Sequence, residues 1–168
     1  GAGGVGMAGI RLAKAVTGVA PIVADIDDTK LEAAKAAGAR EVINSAAPDA
    51  GKRLFAMTGG GVAAAVDFVG AESSLNFAVG ALRKGGKAVV VGLFGGGFAM
   101  PVPMFVFRAI SITGSYVGSL AEMRDLLALV KAGHVPPIPL TTRPLAEAGN
   151  ALADLKAGKV VGRVVLQP

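Results

Sequence analysis

The sequence predicts an α/β domain whose doubly wound, parallel sheet lies between two layers of helices. Short apolar runs alternate with helical patterns along the 168 residues, and this alternation favours parallel pairing through right-handed crossovers. The strand "KAVVVGLF" is almost wholly apolar, as expected when helices cover both faces of a sheet. Hydrophobic residues make up 52% of the chain and charged residues 17%. We therefore predict one domain with a buried core over residues 1–168.

Six short runs rich in β-branched and apolar residues are predicted as strands. In chain order they are "APIVADID", "REVINS", "VAAAVDFVG", "KAVVVGLF", "AISITGSYVG" and "VGRVVLQP". Helices are predicted between these strands, and two of them begin with the spacing of a capping box. The two pairs are Thr29 with Glu32 and Ser119 with Glu122.

Two later helices are predicted to carry apolar residues on one face, because these residues recur at helical spacing. The first face comprises Leu120, Met123, Leu127 and Val130, and the second comprises Leu145, Ala148, Leu152 and Leu155. Residues 88–107 carry no charge over about the length of a membrane span. Because this stretch contains several glycines and prolines, we predict a buried strand followed by a loop and no membrane association.

Composition argues against several function classes. The net charge is +5, but the basic residues are scattered and do not form the stripe that nucleic-acid binding needs. The chain has no cysteine, which excludes disulfides and thiolate metal sites. A cytoplasmic protein is expected, and no signal peptide is visible.

The first residues form a glycine-rich turn of the kind that binds phosphate. Gly1, Gly3 and Gly6 have the spacing G-x-G-x-x-G, ahead of the predicted helix "VGMAGIRLAKAV". The first glycine permits a tight turn, the second lets a pyrophosphate approach the backbone, and the third allows close packing of helix on strand. The free N–H groups at the start of the helix attract an anion.

Asp25 ends the next strand, at about the 20-residue distance where the ribose-binding acid of a dinucleotide fold belongs. Its carboxylate can accept hydrogen bonds from ribose hydroxyls and would repel a 2′-phosphate. Residue 26 is Ile, where an NADP-binding protein often carries Arg. We therefore predict binding of NAD(H), with Lys30 close enough to reach the ribose.

Six ordered segments resemble the cofactor-binding Rossmann domain of zinc-dependent medium-chain alcohol dehydrogenases, over essentially the whole chain. They are "GAGGVG", "ADIDDTKLEAAKAAGA", "VDFVG", "LRKGGKAVVVGL", "ITGSYVGS" and "GKVVGRVVL". The resemblance implies cofactor contacts by position. Gly3, Gly4, Val5 and Arg163 would contact the pyrophosphate, and Asp25, Ile26 and Lys30 would hold the adenosine. Phe68, Val69, Val91, Gly92 and Leu93 would line the cleft. Backbone groups near Val91, Ser115 and Val117 would bind the nicotinamide carboxamide.

The resemblance also implies parts that this sequence lacks. Family members carry a GroES-like catalytic domain ahead of the cofactor domain, and the catalytic zinc ligands belong to that region. The strand that should precede Gly1 is missing too, although it is central in this topology. The chain is therefore expected to be a piece of a longer two-domain enzyme, with zinc bound only in the missing domain.

No catalytic or metal-binding residue is predicted in this chain. Tyr116 lacks the lysine four residues later that short-chain dehydrogenases use, and the single histidine, His134, follows a predicted helix end. We expect the chain alone to bind NAD without oxidising an alcohol. Two alternatives stay open for the parent protein, namely a zinc-free quinone or enoyl reductase and a non-catalytic dinucleotide sensor.

The expected partners are a dinucleotide, a small alcohol or aldehyde, and a second copy of the chain. The resemblance implies dimers that join at sheet edges near "MFVFRAISITGS". An apolar strand with an uncovered edge favours such an association.

Overall fold

The computed structural model of the chain describes residues 1–168. The strands are β1 (Ile22–Asp25), β2 (Glu41–Asn44), β3 (Val62–Asp67), β4 (Leu82–Val90), β5 (Ser111–Gly114), β6 (Leu140–Pro144) and β7 (Arg163–Gln167). The helices are α1 (Gly4–Thr17), α2 (Asp28–Ala36), α3 (Ala50–Thr58), α4 (Glu72–Ala81), α5 (Val102–Arg108), α6 (Leu120–Lys131) and α7 (Ala148–Lys156). A short 3₁₀ helix, Leu145–Glu147, precedes α7. This alternation confirms the predicted α/β class.

The strands pair in three ladders. β1 pairs with β2, β6 pairs with β7, and β3, β4 and β5 form a three-stranded sheet in chain order. The β3–β4, β4–β5 and β6–β7 pairs are parallel. Each of these parallel pairs has a helix between its strands in the chain, which is the connection that parallel pairing requires.

The chain divides into two compact units. Gly1 and Ile43–Gly118 form the mid-chain unit, and Ala2–Val42 with Ser119–Pro168 form the terminal unit. The core of the mid-chain unit is built on Val79, Leu82, Ala88 and Ile110. The core of the terminal unit is built on Ala2, Met7, Ile10, Val23, Ala34 and Ala39. Half of these terminal-unit residues are alanines, so helix and strand pack there at close range.

The predicted capping box of α2 is wrong. The helix begins one residue earlier than Thr29, and its N-cap is Asp27. The Asp27 carboxylate accepts hydrogen bonds from the amides of Thr29 (2.9 Å) and Lys30 (3.4 Å). An aspartate is as good an N-cap as serine and better than threonine, so Asp27 takes the position that the pattern assigned to Thr29.

Two elements were not predicted. α5 lies where a loop was expected, and its first turn contains a proline, which is tolerated there because the first N–H groups of a helix have no intrahelical partner. β6 was missed because several prolines precede it and one, Pro144, ends it, yet it belongs to a two-stranded ladder whose open edge accommodates proline. None of the helices combines the length and the apolar composition that a membrane span requires.

The first predicted apolar face lies on α6, and the second lies on α7 except for Leu145, which belongs to the preceding 3₁₀ helix; the large side chains of both are exposed. Between 45% and 66% of the surface of each large apolar side chain on them is accessible: Leu120, Met123, Leu127, Val130, Leu145, Leu152 and Leu155. Helical spacing correctly groups such side chains on one face, but spacing alone does not show what that face packs against.

The capping box of α6 is confirmed. The Ser119 hydroxyl accepts a hydrogen bond from the Glu122 amide (3.2 Å), and the Glu122 carboxylate accepts one from the Ser119 amide (2.6 Å). Hydrogen bonding of the carboxylate to the backbone amide of Ser119, and to a smaller extent to its side chain, lowers the pKa of Glu122, because it stabilises the ionised form.

We expect Ser119→Ala to lower the free energy of unfolding by about 1 kcal/mol, because the substitution removes the cap acceptor. Urea unfolding measures the change, and Ser119→Thr, which keeps the oxygen, is the matched control. The Glu122 carboxylate stabilises the folded chain fully at pH values above its unfolded pKa. This stabilisation is lost as the pH falls through the lowered pKa of the folded state. Equal unfolding midpoints for the Ala and Thr variants would contradict this role of the cap.

Candidate functional site

The glycine-rich turn leads directly into α1. Gly3 is the N-cap of this 14-residue helix, and no side chain caps it. The Gly3 carbonyl accepts the first helical bond, from the amide of Met7 at 2.8 Å. The amides of the first turn therefore meet no capping side chain, and with the positive end of the helix dipole they can bind an anion.

The glycines of the turn lie in different surroundings. A Cβ atom on Gly3 would have no neighbouring atom of a non-adjacent residue within 4 Å. A Cβ atom on Gly4 would overlap the Arg163 guanidinium and would lie 2.8 Å from the Gly162 carbonyl oxygen. Gly6 is buried within α1, whereas Val5 is exposed. Gly3 therefore leaves open space above the backbone, while Gly4 makes room for an arginine of the protein itself.

Gly1 belongs to the mid-chain unit, where it packs against Val69. A Cβ atom at Gly1 would overlap the Val69 side chain. The close approach of these two residues thus requires glycine, which is a different constraint from the tight turn predicted for the first glycine of the motif.

Asp25 ends β1 and is hydrogen-bonded to the glycine turn. Its Oδ2 atom accepts a bond from the Ala2 amide at 2.6 Å. Its Oδ1 atom accepts bonds from the amides of Ile26 (2.8 Å) and Asp27 (3.1 Å). Because a carboxylate oxygen can accept two hydrogen bonds, Oδ2 retains one position for a further donor.

The other predicted adenosine contacts lie close to Asp25 in the chain. Ile26 is 72% exposed, so its side chain offers an apolar surface to a ligand. The Lys30 side chain is only 18% exposed and lies 3.8 Å from the Asp27 carboxylate. Its Nζ atom also approaches Gly158, just after α7. Lys30 is therefore held in place and is not a freely solvated lysine.

A second group of predicted contacts follows β3 and β4 in the mid-chain unit. Phe68 and Val69 follow β3, and Val91 and Gly92 follow β4; all four are half-buried, and Leu93 beyond them is exposed. The carboxyl ends of neighbouring parallel strands lie at the same edge of a sheet, where ligands of open α/β sheets bind. The structure thus brings these loops together at the expected end of the sheet.

Two of the three backbone groups predicted near the carboxamide already have partners. The Val91 amide donates to the Asp67 carbonyl at 2.8 Å, and the Ser115 amide donates to the Val90 carbonyl at 2.9 Å. Val117 is 79% exposed and has a positive φ of 46°. This left-handed conformation is strained for a β-branched residue.

Asp67 was missed by the sequence analysis. It is the last residue of β3, it is only 4% exposed, and it is the one charged side chain among the buried residues. The available signal was the segment "VDFVG", in which an acid ends an apolar strand and is followed by a glycine turn. That pattern is also typical of an ordinary turn, so only the burial distinguishes Asp67.

The chain contains no group of three or more metal-ligating side chains. His134 and Tyr116 are exposed. A catalytic zinc needs three protein ligands, such as histidine or cysteine, around one open position. The residues present therefore do not fit a zinc site.

Comparison with known proteins identifies the family. The model of the zinc-binding dehydrogenase family matches residues 4–132. This chain belongs to the zinc-binding dehydrogenase family. The resemblance stated from the sequence is thereby confirmed.

Individual proteins similar to this chain are named alcohol dehydrogenases. The NAD-dependent alcohol dehydrogenases of Sulfurisphaera tokodaii and Saccharolobus solfataricus are 38% and 37% identical over 167 residues, which is 99% of this chain and 48% of each relative. The crystal structure of the alcohol dehydrogenase from Aeropyrum pernix matches with a TM-score of 0.92 at 32% identity, over 100% of this chain and 48% of that one. The fold is therefore the Rossmann-like fold of these dehydrogenases. The chain spans about half the length of the curated relatives it matches.

We expect serine to have opposite effects at two neighbouring glycines of the turn. Gly4→Ser should lower the free energy of unfolding by about 1–3 kcal/mol, because its Cβ overlaps Arg163 and the Gly162 carbonyl. Gly3→Ser, the matched variant, should keep or slightly raise stability, because the space is open and serine is a better N-cap than glycine. Urea unfolding of both variants measures the difference. Equal destabilisation would show that the space above Gly3 is not open.

Proposed function

We propose that this chain is the NAD(H)-binding domain of an alcohol dehydrogenase that transfers hydride between an alcohol and NAD. The observation that carries the proposal is the bond between the Ala2 amide and the Asp25 carboxylate, beside the open space above Gly3. Membership of the zinc-binding dehydrogenase family and the names of the relatives support the same class of function.

The turn before α1, the end of β1 and Arg163 offer groups suited to an adenosine and a pyrophosphate. Gly3 leaves the helix amides accessible, and Arg163 brings a positive charge to the same turn, so together they suit a diphosphate. The remaining lone pair of Asp25 Oδ2 suits a ribose hydroxyl, whereas a 2′-phosphate would meet a negative charge. Ile26 and Lys30 are proposed to contact the rest of the adenosine.

The residues that follow β3, β4 and β5 are proposed for the nicotinamide end. Phe68, Val69, Val91, Gly92 and Leu93 offer mainly apolar surface. Because the amides of Val91 and Ser115 are already bonded, we assign the carboxamide to the amide of Val117 and to carbonyl groups near Val91 and Ser115. When bound, the nicotinamide supplies the hydride chemistry, and the protein binds and orients it.

The substrate of the whole enzyme is proposed to be a small alcohol or aldehyde. The proton transfer that accompanies hydride transfer needs a metal or a base, and this chain presents no fitting metal site. We therefore assign the catalytic zinc to a domain outside this chain. The absence of cysteine suits a reducing compartment, so we propose a cytoplasmic protein.

Titration calorimetry with NADH and NADPH tests the cofactor assignment. We expect NADH to bind at least about tenfold more tightly, because Asp25 repels the 2′-phosphate of NADPH. Asp25→Asn should reduce this preference, because it removes the repelling charge. Glu32→Gln, which removes the same charge from an exposed position on α2, should leave the preference unchanged. Equal affinities, or tighter binding of NADPH, would contradict the proposal and favour a reductase.

The Gly3→Ser variant tests the proposed phosphate position in the same titration. Its side chain enters the space that we assign to the pyrophosphate, so NADH binding should be lost while the protein stays folded. Full NADH affinity in a folded Gly3→Ser protein would place the diphosphate elsewhere.

We also propose that the chain forms homodimers through the outer edge of β5. β5 lies at one end of its three-stranded ladder, and Val106 and Phe107 on the preceding helix are more than 70% exposed. An open strand edge next to exposed apolar side chains favours pairing with a second copy.

Light scattering at micromolar concentration should give the mass of a dimer. Thr113→Lys places a charge on the exposed strand β5 and should shift the protein to monomers. Ser73→Lys, which adds the same charge on the surface of α4, is the control and should leave the dimer intact. A monomeric wild-type chain would contradict the proposed interface.

A further inference from the structure

The buried carboxylate of Asp67 closes the loop that follows β3. Its Oδ1 atom accepts hydrogen bonds from the amides of Val69 (2.9 Å) and Gly70 (3.1 Å). Its Oδ2 atom accepts a bond from the Ser74 hydroxyl at 2.9 Å, in the first turn of α4. One side chain therefore holds both the loop and the helix that follows it.

The backbone of Asp67 also holds the loop that follows β4. Its carbonyl oxygen accepts hydrogen bonds from the amides of Val91 (2.8 Å) and Gly92 (3.0 Å). Further along, the Phe94 amide donates to the Val69 carbonyl at 3.1 Å. A Cβ atom at Gly92 would overlap the backbone of Val69. The two loops thus lie against each other, and Asp67 is bonded to both.

No cation pairs with the Asp67 carboxylate, since none of the salt bridges involves it. A buried ionised group without an ion pair costs stability unless hydrogen bonds compensate for the lost water. A neutral Asn or Ser can close a turn of this kind without that cost. A carboxylate differs in that both of its oxygens only accept, so it can bind the loop amides and the Ser74 hydroxyl together.

We propose that Asp67 is a positioning residue that fixes these two loops for the nicotinamide end of the dinucleotide. The inference rests on the proposed function, which assigns Phe68, Val69 and Val91 to that end. Asp67 acts through the loop backbone and does not itself contact the cofactor. Its loss should therefore weaken the contribution of the nicotinamide to binding, while binding of the ADP-ribose portion stays the same.

The test compares the dissociation constants of NADH and ADP-ribose, which lacks the nicotinamide, by calorimetry on the 168-residue chain. Ser74→Ala removes one donor to the carboxylate, and Asp67→Ala removes the carboxylate. We expect each to weaken NADH by about tenfold, as loss of hydrogen bonds to a charged group predicts, and ADP-ribose by less than about twofold. Asp67→Asn keeps an acceptor for the loop amides but loses the oxygen that accepts from Ser74, so its NADH affinity should lie between those of Asp67→Ala and the wild-type chain. Ser73→Ala, at the exposed neighbouring position, is the matched control.

The outcomes separate the inference from the proposed function. If the wild-type chain does not bind NADH, the proposed function fails and the inference fails with it. If it binds NADH more tightly than ADP-ribose but Ser74→Ala weakens neither ligand, or both equally, only the role of Asp67 is overturned. Equal wild-type affinities for the two ligands also overturn it, because no nicotinamide contribution then exists. Should Asp67→Ala fail to fold, Ser74→Ala decides the result.

Discussion

The hydrogen bond from the Ala2 amide to the Asp25 carboxylate is the constraint on which the candidate site depends. It joins the turn before α1 to the end of β1 at 2.6 Å, and the other carboxylate oxygen accepts the next two amides of the chain. A charge-assisted bond of this kind is short and strong. It sets the direction in which α1 begins, and with it the direction of the amides that can meet a phosphate.

The same arrangement recurs at the end of β3, where another aspartate accepts amides from its own loop. Asp25 is half-buried and retains a position for a ligand, whereas Asp67 is buried and has bonding partners on both carboxylate oxygens and on its carbonyl. The two residues share a turn chemistry and differ in accessibility. That difference suits Asp25 to contact a ligand and Asp67 to hold the loops around one.

Much of the fold and part of the site could be predicted from the sequence. The order of helices and strands follows from local periodicity, and the link between the glycine turn and Asp25 follows from their spacing. The short helix α5 and the strand β6 could not be predicted. The prolines in and around them indicate a loop, and tertiary packing determines that these segments become a helix and a strand. The surroundings of Gly4 depend on Arg163, which is distant in the chain, and the burial of Asp67 depends on tertiary packing. Local patterns reveal neither.

The alanines at the core of the terminal unit have a consequence for how this protein can vary. Ala2, Ala34 and Ala39 are almost completely inaccessible, and an alanine offers little volume to remove. Truncation therefore creates only small voids at these positions, whereas each added methylene forces neighbouring backbone apart. At these positions, substitutions that enlarge the side chain are therefore more destabilising than substitutions that remove atoms.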